Sequence, residues 1–136
     1  MFSDINIFAV IAASIVSFAV GAVWHGPLFG KKWMELADFT EQSIKSMPLT
    51  PKQAMTFGTI STLIGTYILA YFVVNLNIMG ISEALMLGFL IWLGFIATTL
   101  ANSVLWEGRS AKLYAFNLAY ALVNIWVVAI ILTVWQ

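Results

Sequence analysis

Four long apolar runs dominate the chain, and short polar segments separate them. None of the runs contains an ionisable residue other than tyrosine, and they cover Ile5–Trp24, Ala54–Leu76, Ala84–Leu105 and Leu113–Trp135. At about 1.5 Å per residue, each run forms a helix that crosses a hydrocarbon core of about 30 Å. The pattern therefore predicts an all-α integral membrane bundle of four helices, folded as one transmembrane domain over residues 1–136.

The polar segments contain specific helix-start signals. Thr50-Pro51-Lys52-Gln53 has the pattern of a capping box with proline at the first helical position. Ser82-Glu83 places an acid at the start of the third span, where the helix dipole favours negative charge. The turns at 75–80 and 107–110 are short, so they predict that spans two and three, and spans three and four, are antiparallel neighbours.

The basic residues predict the orientation of the chain in the membrane. All of them lie in the first and third connections: Lys31, Lys32, Lys45, Lys52, Arg109 and Lys112. Because cytoplasmic loops carry the excess of lysine and arginine, these two connections are expected in the cytoplasm. Both termini are then on the non-cytoplasmic side.

The first connection, residues 25–53, is the only long one. Its apolar and small residues fall near one side of a helical wheel, and these are Trp33, Leu36, Ala37, Thr40, Ile44 and Met47. One interpretation is a short amphipathic helix resting on the inner leaflet. The other is an ordinary soluble loop with some helicity, and the pattern favours neither.

Composition narrows the chemistry further. The chain is 62% hydrophobic and 9% charged, with a net charge of zero, one histidine and no cysteine. This balance gives no basic field for nucleic acid, and it excludes disulfides, thiolate catalysis and cysteine metal sites. A lone histidine holds neither a metal nor a bis-histidine haem within one chain. We therefore expect no cofactor, no metal and no enzymatic activity.

Small residues recur at intervals of four in the first two spans. Because the hydrophobic effect does not pair helices in lipid, close approach of small side chains and interhelical hydrogen bonds must do so. The stripes predict close contact between spans one and two, and they comprise Ala9, Ala13, Ser17, Gly21, Gly58, Thr62, Thr66 and Ala70.

A second set of polar residues lies within spans three and four. It comprises Thr98, Asn102, Asn117, Tyr120 and Asn124. An amide in hydrocarbon costs free energy unless it finds a partner. Two interpretations follow: a hydrogen-bonded cluster that fixes helix packing, or a patch that binds a solute.

Two similar tripeptides end the first and third spans. They are Trp24-His25-Gly26 and Trp106-Glu107-Gly108, and both spans run in the same direction through the membrane. His25 and Glu107 therefore form a candidate pair at the cytoplasmic face, where a carboxylate would favour the charged imidazole. The functional interpretation is a pH-sensitive latch. The alternative is an interfacial histidine and a separately solvated glutamate.

Three segments carry a resemblance to a known family. They are Gly21-Ala-Val-Trp-His-Gly-Pro-Leu-Phe-Gly-Lys-Lys-Trp-Met34, Trp92-Leu-Gly-Phe-Ile-Ala-Thr-Thr99, and Trp106-Glu-Gly-Arg-Ser-Ala-Lys-Leu-Tyr114 followed by Asn117, Ala119 and Tyr120. Together they resemble the motifs of the family called domain of unknown function 1761, small bacterial multi-pass membrane proteins. The resemblance covers nearly the whole chain and implies a four-helix topology but no catalytic role. His25 stands where the family pattern leads us to expect tyrosine.

Three functional hypotheses remain. The first is a non-enzymatic inner-membrane protein, in contact with the lipid bilayer, that associates as a homo-oligomer or with other membrane-protein subunits. The second is an accessory subunit of a larger membrane complex. The third is a small-solute channel or facilitator, built around the face of Thr98, Asn102, Asn117 and Asn124.

Overall fold

The computed structural model describes all residues from Met1 to Gln136 and contains six helices and no strand. Two short helices lie in the first connection, α2 (Gly30–Leu36) and α3 (Glu41–Lys45). The four long helices are α1 (Ile7–Leu28), α4 (Pro51–Asn75), α5 (Ile81–Leu105) and α6 (Ala111–Val134). Each of these four is long and apolar enough to cross a membrane. The predicted all-α, four-span architecture is confirmed, with helix ends that differ from the prediction by a few residues.

Local side-chain hydrogen bonds define where the helices begin. The hydroxyl of Thr50 accepts from the backbone N–H of Gln53 at 3.2 Å, and Oε1 of Gln53 accepts from the N–H of Thr50 at 3.0 Å. This is the predicted capping box. At α5, the carboxylate of Glu83 accepts from the N–H groups of Met79 and Gly80 at 2.8 and 3.2 Å.

The end of α1 is irregular because of Pro27. Proline disfavours helical geometry in the residue before it, and Gly26 accordingly leaves the helical region with φ −117° and ψ −107°. The turns from Trp24 to Leu28 are wide, and the N–H of Phe29 donates to the carbonyl of Trp24, five residues earlier, at 3.0 Å. The sequence predicted an end at Trp24, whereas the hydrogen-bonded turns continue to Leu28.

The first connection does not form one continuous amphipathic helix. Asp38 adopts a left-handed conformation with φ 55° and separates α2 from α3. Aspartate tolerates this conformation better than most residues because its short polar side chain bonds locally. The ring of Trp33 in α2 packs edge-on against Phe39, which lies between α2 and α3, with centroids 5.2 Å apart. The apolar positions are thus divided between two short helices.

The four spans pack in the order α4, α1, α6, α5, and the two outer helices do not close the ring. α1 and α6 lie side by side at the centre, α4 packs on α1, and α5 packs on α6. The predicted contact between spans one and two is present. α4 and α5 hardly touch, although only a short turn joins them, so the prediction that spans two and three pack as neighbours is wrong. A turn fixes the distance between two helix ends, but in lipid nothing forces the helices together along their length.

The buried core lies in the half of the bundle that carries both chain ends. It comprises Ile5, Ala9, Val10, Ala13, Leu69, Ala70, Val73, Ala84, Val128, Ala129 and Leu132. In α4, no residue before Thr66 is buried. The first half of α4 is therefore less deeply packed than the second half, and an opening lies between α4 and α5.

Candidate functional site: a cleft between α4 and α5

A cleft of about 470 Å³ lies between α4 and α5. α4 and α5 form its two walls, and α1 and α6 form its floor. Its lining is largely apolar, with hydroxyl and amide groups but no charged side chain, and it comprises Ser17, Ser61, Thr62, Gly65, Thr66, Ile68, Leu69, Phe72, Ile91, Ile96, Tyr120, Ala121, Asn124, Ile125 and Val128. The volume falls in the range of about 300–1,000 Å³ that is typical of small-molecule sites.

Polar atoms in the cleft lack partners within the chain. Oδ1 of Asn124 is buried and accepts no hydrogen bond. Ser17 and Thr66 are only 6% and 4% exposed, yet neither hydroxyl bonds to the preceding helical turn. In contrast, the hydroxyl of Ser14 donates to the carbonyl of Val10 at 2.8 Å. Buried polar atoms are nearly always paired. Two buried side-chain atoms have no partner, and these are Oδ1 of Asn124 at the cleft and Nε1 of Trp24 near the end of α1.

The register of α1 against α6 brings two of these groups together. The side-chain amide of Asn6 donates to the carbonyl of Trp135 at 3.4 Å, and Gly21 lies against the hydroxyl of Tyr120. In an antiparallel pair this register places Ser17 level with Asn124. Both residues line the cleft floor.

The five polar residues predicted in spans three and four do not form one cluster. Tyr120 and Asn124 line the cleft, whereas Thr98 and Asn102 are exposed on the far side of α5. The hydroxyl of Thr98 donates within α5, to the carbonyl of Gly94 at 2.8 Å. Asn117 is half-buried on α6, outside the cleft.

A wide turn in α5 explains this difference. The helix is wound more loosely from Trp92 to Ala97. One extra residue in a turn rotates everything after it by about 100° relative to a regular helix. Ala97 is consequently the buried residue that faces α6, and its carbonyl accepts from the hydroxyl of Tyr114 at 2.8 Å. Thr98 and Asn102 are turned outward.

An aromatic cluster closes the bundle beyond Tyr120. It comprises Trp24, His25, Phe29, Trp33, Phe116 and Tyr120. Nδ1 of His25 donates to the carbonyl of Gly21 at 2.9 Å, which fixes the tautomer of the ring. The His25 ring lies 4.8 Å from Trp33 and 4.7 Å from Tyr120, centroid to centroid. His25 therefore joins α1, α2 and α6.

The candidate pair of His25 and Glu107 is not formed. No ion pair joins the two residues, and the nearest cation to Glu107 is Arg109, whose Nε lies 3.9 Å away at an exposed site. His25 is held by aromatic rings instead. Equal position along the chain direction did not bring the two together, because α1 and α5 both pack on α6 and not on each other.

Asn124 and Tyr120 were predicted as candidate site residues, whereas Ser17 and Thr66 were predicted as helix-packing residues. Both roles apply, since these residues are buried and also line the cleft. The available signal was the hydroxyl group: alanine or glycine would pack as well at those positions. Hydroxyls and an amide in apolar walls can hold an uncharged polar group by hydrogen bonds.

Comparison with known proteins identifies the family. A family model described as "Protein of unknown function (DUF1761)" matches residues 8–133, nearly the whole chain. No curated protein and no solved structure matches the chain. The match covers all four spans, the cleft and the aromatic cluster. The chain therefore belongs to the DUF1761 family of proteins of unknown function.

Proposed function

We propose that this chain is a non-enzymatic protein of the bacterial inner membrane that acts by assembling with further copies of itself or with other membrane subunits. The observation that carries the proposal is a helix face without a neighbour, the α5 outer face, formed by Gly94, Thr98 and Asn102. Thr98 and Asn102 are exposed, and no atom lies within 4 Å of where a Cβ on Gly94 would stand.

The α5 outer face has the properties by which helices associate in lipid. Gly94 lets a second helix approach closely, and Thr98 follows one turn later. The side-chain amide of Asn102 has no partner within the chain, so a neighbouring helix that supplies one lowers its free energy in the membrane. Together these features support an interface with another protein.

The stripes of α1 and α4 are less suited to this role. Ala9, Ala13 and Ser17 are buried inside the bundle, as are Thr66 and Ala70. Gly58 packs near the ring of Phe18. These small residues hold the spans of one chain together, which leaves the α5 outer face for partners.

The orientation belongs to the same proposal, with both termini on the non-cytoplasmic side. It rests on the six basic residues, which all lie between α1 and the first turn of α4 or between α5 and the first turn of α6. A channel lined by Thr98, Asn102, Asn117 and Asn124 receives less support, because Asn124 lines the cleft while Thr98 and Asn102 face outward.

Cysteine cross-linking in native membranes tests the interface, and the chain has no cysteine of its own. Thr98→Cys should form disulfide-linked dimers on oxidation. The control Phe57→Cys, on α4 at a site 57% exposed, should not. A product of Thr98→Cys that contains a different protein at fixed stoichiometry would identify the chain as an accessory subunit. Equal cross-linking at both positions, or none, contradicts the proposed interface.

A further inference from the structure

We propose that the cleft binds one hydrocarbon chain of an uncharged amphiphile, and that a hydroxyl group on this molecule bonds to Asn124 and Ser17. The ligand class follows from the size, charge and hydrogen-bonding groups of the cleft. The inference is independent of assembly through the α5 outer face, since Gly94, Thr98 and Asn102 do not line the cleft.

The size of the cleft suits a narrow occupant. Its volume of about 470 Å³ lies in the lower part of the range typical of small-molecule sites. A hydrocarbon chain has no side chains and is far narrower than a helix, which is about 10 Å wide, so a space of this size favours the hydrocarbon chain.

The absence of charge in the lining selects an uncharged ligand. None of the lining residues is a lysine, arginine, histidine or carboxylate. A phosphate or carboxylate placed at the level of Asn124 would lose its hydration and gain no counter-charge. A hydroxyl group needs only hydrogen bonds, and the cleft provides those.

The unpaired groups define the polar end of the ligand. The side chain of Asn124 lines the cleft, and its buried Oδ1 accepts no hydrogen bond within the chain. A ligand that supplies an O–H satisfies this oxygen when the amide turns toward the cleft. Ser17, at the same level of the floor, has a hydroxyl free to donate to the ligand. A ligand hydroxyl satisfies both, because it donates to Asn124 and accepts from Ser17.

The ligand has a route from the lipid. α4 and α5 hardly touch, so the cleft opens between them toward the hydrocarbon. Gly65 lies in the α4 wall, and no atom lies within 4 Å of where its Cβ would stand. An acyl or prenyl chain can slide in sideways without leaving the apolar layer.

Photolabelling in phosphatidylcholine vesicles tests the proposal. The probes are a hexadecanol that carries a diazirine and its methyl ether, which lacks the O–H donor. The full chain should bind the alcohol about tenfold more tightly than the ether, the usual effect of one hydrogen bond left unmade. Asn124→Leu should bind both probes equally. Equal affinity of the unaltered protein for the two probes overturns the proposal.

Two further variants keep the test decisive if Asn124→Leu does not fold. Gly65→Leu fills the cleft from the α4 wall and should lower labelling by both probes at least about tenfold. Ile64→Phe adds bulk at a neighbouring position outside the cleft lining and should leave labelling unchanged. Labelling that survives Gly65→Leu contradicts the proposal.

Two more measurements identify what occupies the cleft, a lipid or another polypeptide. Native mass spectrometry of protein extracted from cells should find a bound hydroxylated neutral lipid, and unlabelled hexadecanol should displace it. A diazirine amino acid introduced at Ile68, in the α4 wall, should react with lipid. Reaction with another polypeptide instead would identify a protein occupant and overturn the proposal. None of these results depends on dimers formed through the α5 outer face. The ligand proposal and the assembly proposal can therefore be contradicted independently of each other.

Discussion

The hydroxyl of Tyr120 lies where a side chain at position 21 would begin. A Cβ built on Gly21 would stand 2.8 Å from that oxygen, which is too close for contact. Glycine at position 21 therefore allows α1 and α6 to approach beside the ring of Tyr120. The same ring packs against His25 and lines the cleft, so it connects the aromatic cluster to the cleft floor.

Because of this contact, Gly21→Leu should destabilise the bundle, with a free-energy cost of about 1–3 kcal/mol for overpacking. Tyr120→Phe removes the oxygen that causes the closest clash, so Gly21→Leu should cost less in that background. Unfolding of the reconstituted protein by denaturant measures both costs in a double-mutant cycle. Equal costs in the two backgrounds would show that the contact does not limit the approach of α1 and α6.

A second glycine forms a tight contact between α5 and α6. A Cβ on Gly88 would lie 3.0 Å from Cδ1 of Trp126, and Nε1 of Trp126 is held by a 2.9 Å hydrogen bond to the carbonyl of Leu85. Gly88→Leu should therefore lower stability by about 1–3 kcal/mol. Gly65→Leu, where the space is open, serves as the matched control and should leave stability unchanged or raise it, since leucine has the higher helix propensity. A Gly65→Leu variant that is less stable than Gly88→Leu would contradict the close packing of Gly88 against Trp126.

The surroundings of His25 lead to a third prediction. Since Glu107 pairs weakly and at the surface with Arg109, Glu107→Gln should change the free energy of unfolding by less than about 0.5 kcal/mol. Trp33→Ala removes a ring that contacts His25 and should cost about 1 kcal/mol or more. Denaturant unfolding of the two variants compares these effects. A larger loss of stability for Glu107→Gln than for Trp33→Ala would support the pair of His25 and Glu107 that the sequence suggested.

The orientation predicts which residues an impermeant reagent reaches. With both termini outside, Ser3→Cys should react with an impermeant maleimide added to intact cells. Ser46→Cys, in the connection before α4, should react only after the membrane is permeabilised. Reaction of Ser46→Cys in intact cells, together with protection of Ser3→Cys, would reverse the orientation.

Much of the fold follows from local sequence signals. Apolar length determines the four spans, and the Thr50 to Gln53 capping box marks the start of α4 as predicted. The stripe in α1 correctly indicates a packed face, with Ala9 and Ala13 almost fully buried. These features depend on helix geometry and on residues close in sequence, so one chain is enough to identify them.

The packing order and the site were harder to predict. Spans in lipid have no hydrophobic preference for one neighbour over another, so a short turn gave no reliable sign that α4 and α5 would separate. The wide turn between Trp92 and Ala97 has no simple sequence signature, yet it decides that Thr98 and Asn102 face away from Asn124. The separation of α4 and α5 leaves the cleft between them.

Subunit counting in liposomes tests assembly through the α5 outer face most directly. Fluorescently labelled protein is diluted into excess lipid, and photobleaching steps report how many chains share each spot. The unaltered chain should show two or more steps, and Gly94→Leu should shift most spots to one step because leucine blocks close approach at α5. Two results would contradict assembly through the α5 outer face. One is a single bleaching step for the unaltered protein at every dilution, and the other is a step distribution that Gly94→Leu leaves unchanged.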